Sequence, residues 1–258
     1  MEITLDQLLA GKATRIKNRE YFSTAAYVEP FLERVQKLTS DFRVQVQLPN
    51  QITYTSDGEV NLEDQTFNRV WIQAVLPDEY PIPNHNNVIG MVYGLDVRKP
   101  VFKVYKGGLN QACTNLCIFS PEYLVCQEIE SEMALNYRYV DDLVRMTDES
   151  ASMIRKLQNM EFNTDDRLIS EQLGRWVRNC IDCSYDVGFG KVKVATSAPI
   201  EAYKDLFLNE DSDYFIGNKE ASMYDVYGAF TQTITDGLKR DLMNQAEKSL
   251  LIRNILGV

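Results

Sequence analysis

The sequence predicts an α+β fold, with an antiparallel β-meander in the first half packed with a mainly helical, acidic second half. Strand-like segments separated by short turns precede residue 120, and apolar residues recur at helical spacing after it. Charge divides at the same place, because residues 1–120 carry a net charge of −1 and residues 121–258 a net charge of −9. We therefore expect a β-rich region with N-terminal helices over 1–120 and a helical region over 121–258, in one compact unit.

The first elements are two amphipathic helices and a strand. Helical spacing of apolar residues predicts helices over 4–10 and 26–38, with a basic stretch between them. Residues 42–48 then alternate apolar and polar side chains, which indicates a half-buried strand. Further strands are predicted over 51–55, 68–76, 88–95, 100–106 and 112–119. The turns between them are rich in Gly, Pro, Asn and Asp, which favours an antiparallel meander.

The second half shows three helical patterns. One apolar stripe runs from Cys126 to Val144 and continues over 154–160, and a second covers 173–181. The last helix is predicted to begin at Ser222, whose spacing to Asp225 fits a capping box, with Gly237 as a candidate break before Leu250.

Composition limits the class of protein. The chain has 258 residues, of which 45% are hydrophobic, so a substantial core is expected. The five cysteines favour reduced thiols over a disulfide framework. The longest apolar runs fall short of the roughly 20 residues that span a bilayer, and the first residues do not resemble a secretory signal. We expect a cytoplasmic protein with no membrane association and no cofactor.

Two segments resemble a known family. They are Cys113-Thr114-Asn115-Leu116-Cys117 and Tyr224-Asp225-Val226-Tyr227-Gly228-Ala229-Phe230-Thr231. Together they are similar to segments of phage- and plasmid-encoded proteins of unknown function, which place a Cys-x-Asn segment after a β-rich first half and a helix of this kind near the end. The resemblance covers residues 40–256. It implies a mobile-element protein that works inside a bacterium in nucleic-acid metabolism, and it supplies no catalytic residues.

Three motifs that suggest metal chemistry are better explained structurally. Tyr139-Val140-Asp141-Asp142 resembles the polymerase Tyr-x-Asp-Asp hairpin, but it lies in a helical stripe. A calcium loop would take ligands from Asn209, Asp211, Asp213 and Glu220, yet its sixth position is Tyr214 where the turn requires Gly. Cys113 with Cys117, and Cys180 with Cys183, have spacings that zinc accepts, but buried thiols suit them better.

Other catalytic motifs are excluded by composition or spacing. His85 is the only histidine, which removes His-rich metal sites and weakens any hydrolytic triad, and we interpret it as a loop residue. Gly188-Phe189-Gly190-Lys191 lacks the spacing of a phosphate-binding loop. A carboxylate pair assembled only in three dimensions stays open, since 37 acidic residues allow many such pairs.

Cationic and aromatic residues concentrate in two segments. The first contains Lys12, Arg15, Lys17, Arg19 and Tyr21, and the second contains Arg98, Lys99, Lys103, Tyr105 and Lys106. If the segments were neighbours, they would form a groove in which cations contact phosphates and rings stack on the bases of a single strand. The alternative is an ordinary solvated sheet edge, on which lysines discourage edge-to-edge pairing.

The sequence therefore supports a non-enzymatic phage or plasmid accessory protein that binds single-stranded nucleic acid in replication, recombination or annealing. We expect a homo-oligomer. The alternative hypothesis is an interaction protein whose acidic helices imitate phosphate and inhibit a host nuclease or defence factor.

Overall fold

The computed structural model describes residues 4–16, 19–48, 67–77, 84–95, 100–110, 116–130, 135–146, 149–186, 190–212, 214–217, 220–235 and 242–258. Within them lie eight α-helices and twelve short or long strands, which confirms the predicted α+β class. The strands are β1 (Thr14–Ile16), β2 (Arg19–Tyr21), β3 (Arg43–Gln47), β4 (Arg69–Val75), β5 (His85–Gly94), β6 (Val101–Asn110), β7 (Leu116–Cys117), β8 (Leu124–Glu128), β9 (Glu161–Phe162), β10 (Tyr185–Asp186), β11 (Lys191–Val192) and β12 (Ala221–Ser222).

The helices follow the same chain order. They are α1 (Leu5–Leu9), α2 (Thr24–Gln36), α3 (Arg138–Arg145), α4 (Ser150–Gln158), α5 (Asp166–Asp182), α6 (Ala198–Phe207), α7 (Met223–Thr235) and α8 (Gln245–Leu256). Side chains cap several of them. Thr4 and Gln7 form a capping box at α1, and the Ser23 hydroxyl accepts a hydrogen bond from the Ala26 N–H at the start of α2.

Six strands form one antiparallel sheet in the order β3-β4-β5-β6-β7, with β8 also paired to β6. The Val101–Tyr105 part of β6 pairs with β8, and Gly108 and Leu109 pair with β7. β4 and β5 are buried along nearly their whole length. Val, Ile, Trp and Tyr dominate them, because β-branched and aromatic side chains suit a strand covered on both faces.

The chain divides into two compact units. The first unit comprises Met1–Asp78, Asn87–Lys106 and Glu122–Thr147. The second unit comprises Glu79–Asn86, Gly107–Pro121 and Asp148–Val258. Each unit gathers segments that are distant along the chain, and contacts between such segments leave no local periodicity in the sequence.

The core of the first unit forms between one face of the sheet and the helices α1, α2 and α3. Phe31 of α2, Ile72 of β4, Met91 of β5 and Phe102 of β6 are all essentially inaccessible to solvent and belong to this cluster. Tyr137 adds a polar tie, because its hydroxyl donates a hydrogen bond of 2.7 Å to the Tyr27 carbonyl oxygen. Burial raises the pKa of Tyr137 well above its usual value, so the phenol stays protonated.

The core of the second unit is helical. Trp176 of α5, Phe230 of α7 and Ile252 of α8 belong to one cluster, in which the Trp176 and Phe230 rings meet edge to face at 5.4 Å. Lys193 donates a hydrogen bond to the Ile181 carbonyl oxygen near the C-terminus of α5. A cation is favourable there because the last carbonyl groups of a helix are unsatisfied and carry partial negative charge.

Several predicted elements shift in the structure. The helical stripe from Cys126 is wrong at its start, because residues 124–128 form β8 and pair with β6. Leu124-Val125-Cys126 can satisfy either periodicity, and tertiary pairing decides in favour of the strand. The strand predicted over 112–119 is observed only at Leu116–Cys117, since 111–115 lie outside the described residues. The strand predicted over 51–55 also lies outside them.

Candidate functional site

The basic stretch near the N-terminus forms a two-stranded hairpin. β1 and β2 pair antiparallel, with Arg15 opposite Glu20 and Ile16 opposite Arg19. Directly opposed residues share a face of a two-stranded ribbon and successive residues alternate, so Arg15 and Arg19 lie on opposite faces. Lys12, Arg15 and Arg19 are exposed. The hairpin therefore presents cations on both of its faces.

The two arginines have no bonding partner in the described part of the chain. Arg34 forms an ion pair with Asp141 in the same unit, whereas Arg15 and Arg19 form neither an ion pair nor a side-chain hydrogen bond there. Glu20 faces Arg15 across the strands without forming a salt bridge with it. Both guanidinium groups therefore keep all their donors for an external acceptor such as a phosphate.

An aromatic side chain follows the hairpin directly. Phe22 is 41% exposed, and its ring meets Tyr27 edge to face at 6.0 Å. Its backbone N–H donates to the Tyr27 hydroxyl at 3.3 Å, which fixes the chain where β2 leads into α2. Burial raises the pKa of Tyr27, so this acceptor remains a neutral phenol. Phe22 thus offers a partly exposed ring next in sequence to the hairpin.

The other predicted interface residues lie in different settings. Tyr21 is buried, and so are Lys103, Tyr105 and Lys106, which belong to β6 inside the sheet. The Lys106 ammonium donates to the Met146 carbonyl oxygen at 2.7 Å within the first unit. Lys17, Arg98 and Lys99 lie outside the described residues. Of the ten predicted contacts, the described structure places Lys12, Arg15 and Arg19 at the surface.

A glycine explains why Tyr105 lies inside. A Cβ atom at Gly90 would come within 2.1 Å of the Tyr105 ring, so the ring occupies the space that a side chain on β5 would take. Burial then raises the pKa of Tyr105 well above its usual value, although the nearby Trp71 indole lowers it in part. Neither the Tyr105 hydroxyl nor the Trp71 N–H completes a hydrogen bond. A ring in this position cannot stack on a base, and a single sequence does not reveal which face of a central strand is covered.

Among the described residues, the metal candidates do not assemble into a site. Within the described residues, no group of three or more His, Cys, Asp and Glu side chains gathers around one point. Asn209 accepts a hydrogen bond from the Asp211 backbone N–H, which makes a local turn, and Glu220 is exposed. Asp213 lies outside the described residues. A Cβ at Gly228 would meet the Tyr214 ring at 2.1 Å, so Tyr214 packs against α7. A calcium loop needs a glycine at the position that Tyr214 occupies.

The cysteine pairs and the aspartate pair have ordinary surroundings. Cys117 and Cys180 are buried free thiols, and Cys113 lies outside the described residues. Burial, and after it the neighbouring Cys183, raises the pKa of Cys180 to about 11, which disfavours the thiolate that zinc requires. Asp141 and Asp142 lie on α3, so they do not form the strand-turn-strand of a polymerase site.

A polar cluster that the sequence did not predict lies in the second unit. His85 is the first residue of β5 rather than a loop residue, and it is buried. Its Nε2 lies 2.6 Å from the Tyr224 hydroxyl oxygen, to which the Asn110 side-chain amide donates at 3.3 Å. Residues 85 and 224 are too far apart in sequence for any local motif to join them.

The three side chains of this cluster, His85, Asn110 and Tyr224, come from three elements, β5, β6 and α7. Asn84 takes a left-handed φ of 62°, which asparagine tolerates, immediately before His85 enters β5. Asn110 ends β6. Tyr224 lies in the first turn of α7, where the Asp225 carboxylate accepts hydrogen bonds from both the backbone N–H and the hydroxyl of Ser222. This confirms the predicted capping pair.

Comparison with known proteins returns no match: no family model fits the sequence, and no curated protein or solved structure is significantly similar to it. The resemblance to phage and plasmid proteins therefore stays a prediction. Among the described helices, none combines the length and the apolar character that crossing a bilayer requires.

Proposed function

We propose that this protein binds single-stranded nucleic acid, and that the hairpin formed by β1 and β2 contacts the strand. The observation that supports the proposal most directly is the pair Arg15 and Arg19. Both are exposed and lack an ion-pair partner in the described part of the chain. Phe22, beside them, is 41% exposed.

Electrostatics explains why so small a cationic feature would matter. The whole chain carries a net charge of −10, so its average field repels a polyanion. Close contacts are decided locally, because the Debye length is only about 8 Å at physiological ionic strength. Residues 12–22 contain four cations and one acid, a net charge of +3. A narrow ribbon with cations on both faces suits one flexible strand, whose phosphates can follow it.

The test is fluorescence anisotropy with a labelled strand of about 40 nucleotides and its duplex, at low and moderate salt. The variant Arg15→Ala/Arg19→Ala should weaken single-strand binding by about 25-fold at 0.1 M salt, since each lost phosphate contact costs about fivefold under that condition. The matched control is Arg175→Ala/Arg178→Ala, which removes the same charge from exposed positions on α5. Equal losses in both variants would indicate only a general charge effect and would overturn the hairpin assignment.

A substitution at Phe22 tests whether the ligand is a single strand or a duplex. Stacking of a base on an aromatic ring is worth about 1–3 kcal/mol, and duplex bases are not available for it. Phe22→Ala should therefore reduce single-strand affinity and leave duplex affinity unchanged. Leu38→Ala is the control, because Leu38 is an exposed apolar residue of the same unit at 46%. A loss that is equal for both ligands would argue against stacking.

The same proposal includes the setting in which the protein works. We propose a phage- or plasmid-related protein that acts as a homo-oligomer in the bacterial cytoplasm. The four cysteines of the described residues are free thiols, which suits a reducing compartment. Light scattering would measure the oligomeric state. If neither nucleic acid binds at either salt, the alternative becomes the better hypothesis, namely an acidic protein that inhibits a host nuclease or defence factor.

A further inference from the structure

We propose that Tyr224 is a nucleophile activated by His85, and that its substrate is a phosphodiester of the bound single strand. The choice of substrate rests on the proposed function, whereas the activation of Tyr224 rests on the geometry alone. Both residues belong to the second unit, and with Asn110 they meet at one phenol oxygen.

The contacts of the Tyr224 hydroxyl allow proton transfer to His85. The Asn110 amide has donors and its N–H points at the Tyr224 oxygen, so that oxygen acts as an acceptor toward Asn110. In the tautomer that carries its proton on Nδ1, His85 can accept the phenol proton at Nε2, which lies 2.6 Å from the Tyr224 oxygen. A nucleophile within about 2.6–3.2 Å of a base is the arrangement that activates hydroxyl groups in covalent catalysis. Asn110 would stabilise the negative charge that develops on the phenol oxygen.

Burial divides the roles of the two rings. His85 is only 6% exposed. Tyr224 is half-buried, so it is less enclosed than His85. Its backbone is held by the capping pair Ser222 and Asp225 and by the Met223 N–H, which donates to the Met160 carbonyl oxygen at 2.8 Å. A fixed nucleophile beside a buried base limits the entropy lost on reaction.

The reaction balances without an oxidant or reductant. The Tyr224 oxygen attacks phosphorus and forms a phosphotyrosyl bond, while the bond from phosphorus to one sugar oxygen breaks. The phenol proton passes to His85 Nε2 and then to the departing sugar oxygen, which leaves as a hydroxyl. One phosphodiester replaces another, so the step is reversible and suits cleavage and rejoining of a strand.

The test combines strand binding with detection of a covalent adduct. Wild-type protein is incubated with an end-labelled single strand, and mass spectrometry of the digested adduct locates the modified residue. We expect a nucleotide on Tyr224, no adduct with Tyr224→Phe, and normal adduct yield with Tyr203→Phe, which alters another half-buried tyrosine of the same unit. His85→Gln should slow adduct formation by roughly a hundredfold or more and remove its dependence on pH near neutrality, as expected for loss of a general base.

The outcomes distinguish this inference from the proposed function. Strand binding without an adduct overturns the inference and leaves the proposed function intact. Absence of strand binding overturns both the proposed function and the phosphodiester assignment. Labelling with an aryl sulfonyl fluoride then decides the activation itself, because Tyr224 should react faster than Tyr203 in wild type but not in His85→Gln. Equal labelling of the two tyrosines overturns it. Since the wild-type adduct is located directly, a variant that fails to fold does not obscure the answer.

Discussion

The buried hydroxyl of Ser249 forms hydrogen bonds with two backbone groups, one in β7 and one just after it. It accepts a hydrogen bond from the Ile118 N–H at 3.0 Å and donates one to the Leu116 carbonyl oxygen at 2.8 Å. The Tyr227 hydroxyl lies 3.3 Å away. The hydroxyl thus gives partners to two backbone groups of a very short strand segment, whose own ladder has only two paired residues. Buried backbone groups without partners are costly, so this contact is expected to stabilise the second unit strongly.

Ser249→Ala should lower the free energy of unfolding by about 2–3 kcal/mol, because it leaves a buried N–H and a buried carbonyl oxygen unsatisfied. Urea denaturation followed by circular dichroism would measure the change. Ser152→Ala is the matched control, since Ser152 is exposed on α4, and a change within about 0.5 kcal/mol is expected there. A similarly small change for Ser249→Ala would mean that water replaces the hydroxyl.

Cys180 should react slowly although it is a free thiol. Burial raises its pKa from 9.0 to about 11, which lowers the thiolate fraction at pH 8 about a hundredfold. Iodoacetamide at pH 8 should therefore modify the partly exposed Cys183 first, as tandem mass spectrometry of the shared peptide would show. In urea the two rates should converge. The contribution of this thiol to stability is complete below pH 9 and is lost as the pH rises through 11.

Among the helices and strands, the spacing of apolar residues predicts those elements whose conformation is decided by neighbouring residues in the sequence. The helix over 26–38 and the strands over 68–76 and 88–95 appear as α2, β4 and β5, because their apolar spacing and their side-chain shapes agree with the fold. Cys126 is helical in pattern but lies in β8, where pairing with Lys103 prevails. His85 and Tyr224 meet only through tertiary structure, so no spacing in the sequence predicts the cluster. By contrast, the exposure of Arg15 can be predicted from the sequence. The burial of Tyr105 cannot, because it depends on Gly90 of a neighbouring strand.

Two glycines in different elements should respond oppositely to alanine. Gly90→Ala places a Cβ within 2.1 Å of the Tyr105 ring and should destabilise the first unit by about 1–3 kcal/mol through overpacking. Gly174 lies on α5 with open space around its Cβ position, so Gly174→Ala should stabilise by about 0.5–1 kcal/mol through helix propensity. Thermal unfolding would compare the two variants.

The control for the Gly90 effect is a second substitution at its neighbour. Tyr105→Leu removes the ring that meets the new methyl group, so the double variant should lose less stability than the sum of the single variants. Additive losses would show that Gly90 is needed for its backbone and not for the space that the ring fills.

For the whole molecule, charge is the property that decides between the hypotheses. The net charge is −10, and the acids are concentrated after residue 120, while the N-terminal hairpin is locally cationic. A polyanion would therefore be repelled by the net charge of the chain and attracted by the hairpin. The affinity of the hairpin for a nucleic acid should therefore fall steeply as the salt concentration rises, because released counterions supply most of the binding free energy.

The salt dependence tests this directly. For single strands, the slope of log K against log salt changes by about 0.7 for each phosphate contact, so Arg15→Ala/Arg19→Ala should flatten the slope by about 1.4. Arg175→Ala/Arg178→Ala removes the same net charge and should leave the slope unchanged if those arginines touch no phosphate. If the hairpin variant binds more weakly but the slope is unaltered, the arginines stabilise the structure and do not contact phosphate. Because slope counts contacts and affinity sums every effect, the two quantities together separate direct recognition from indirect destabilisation.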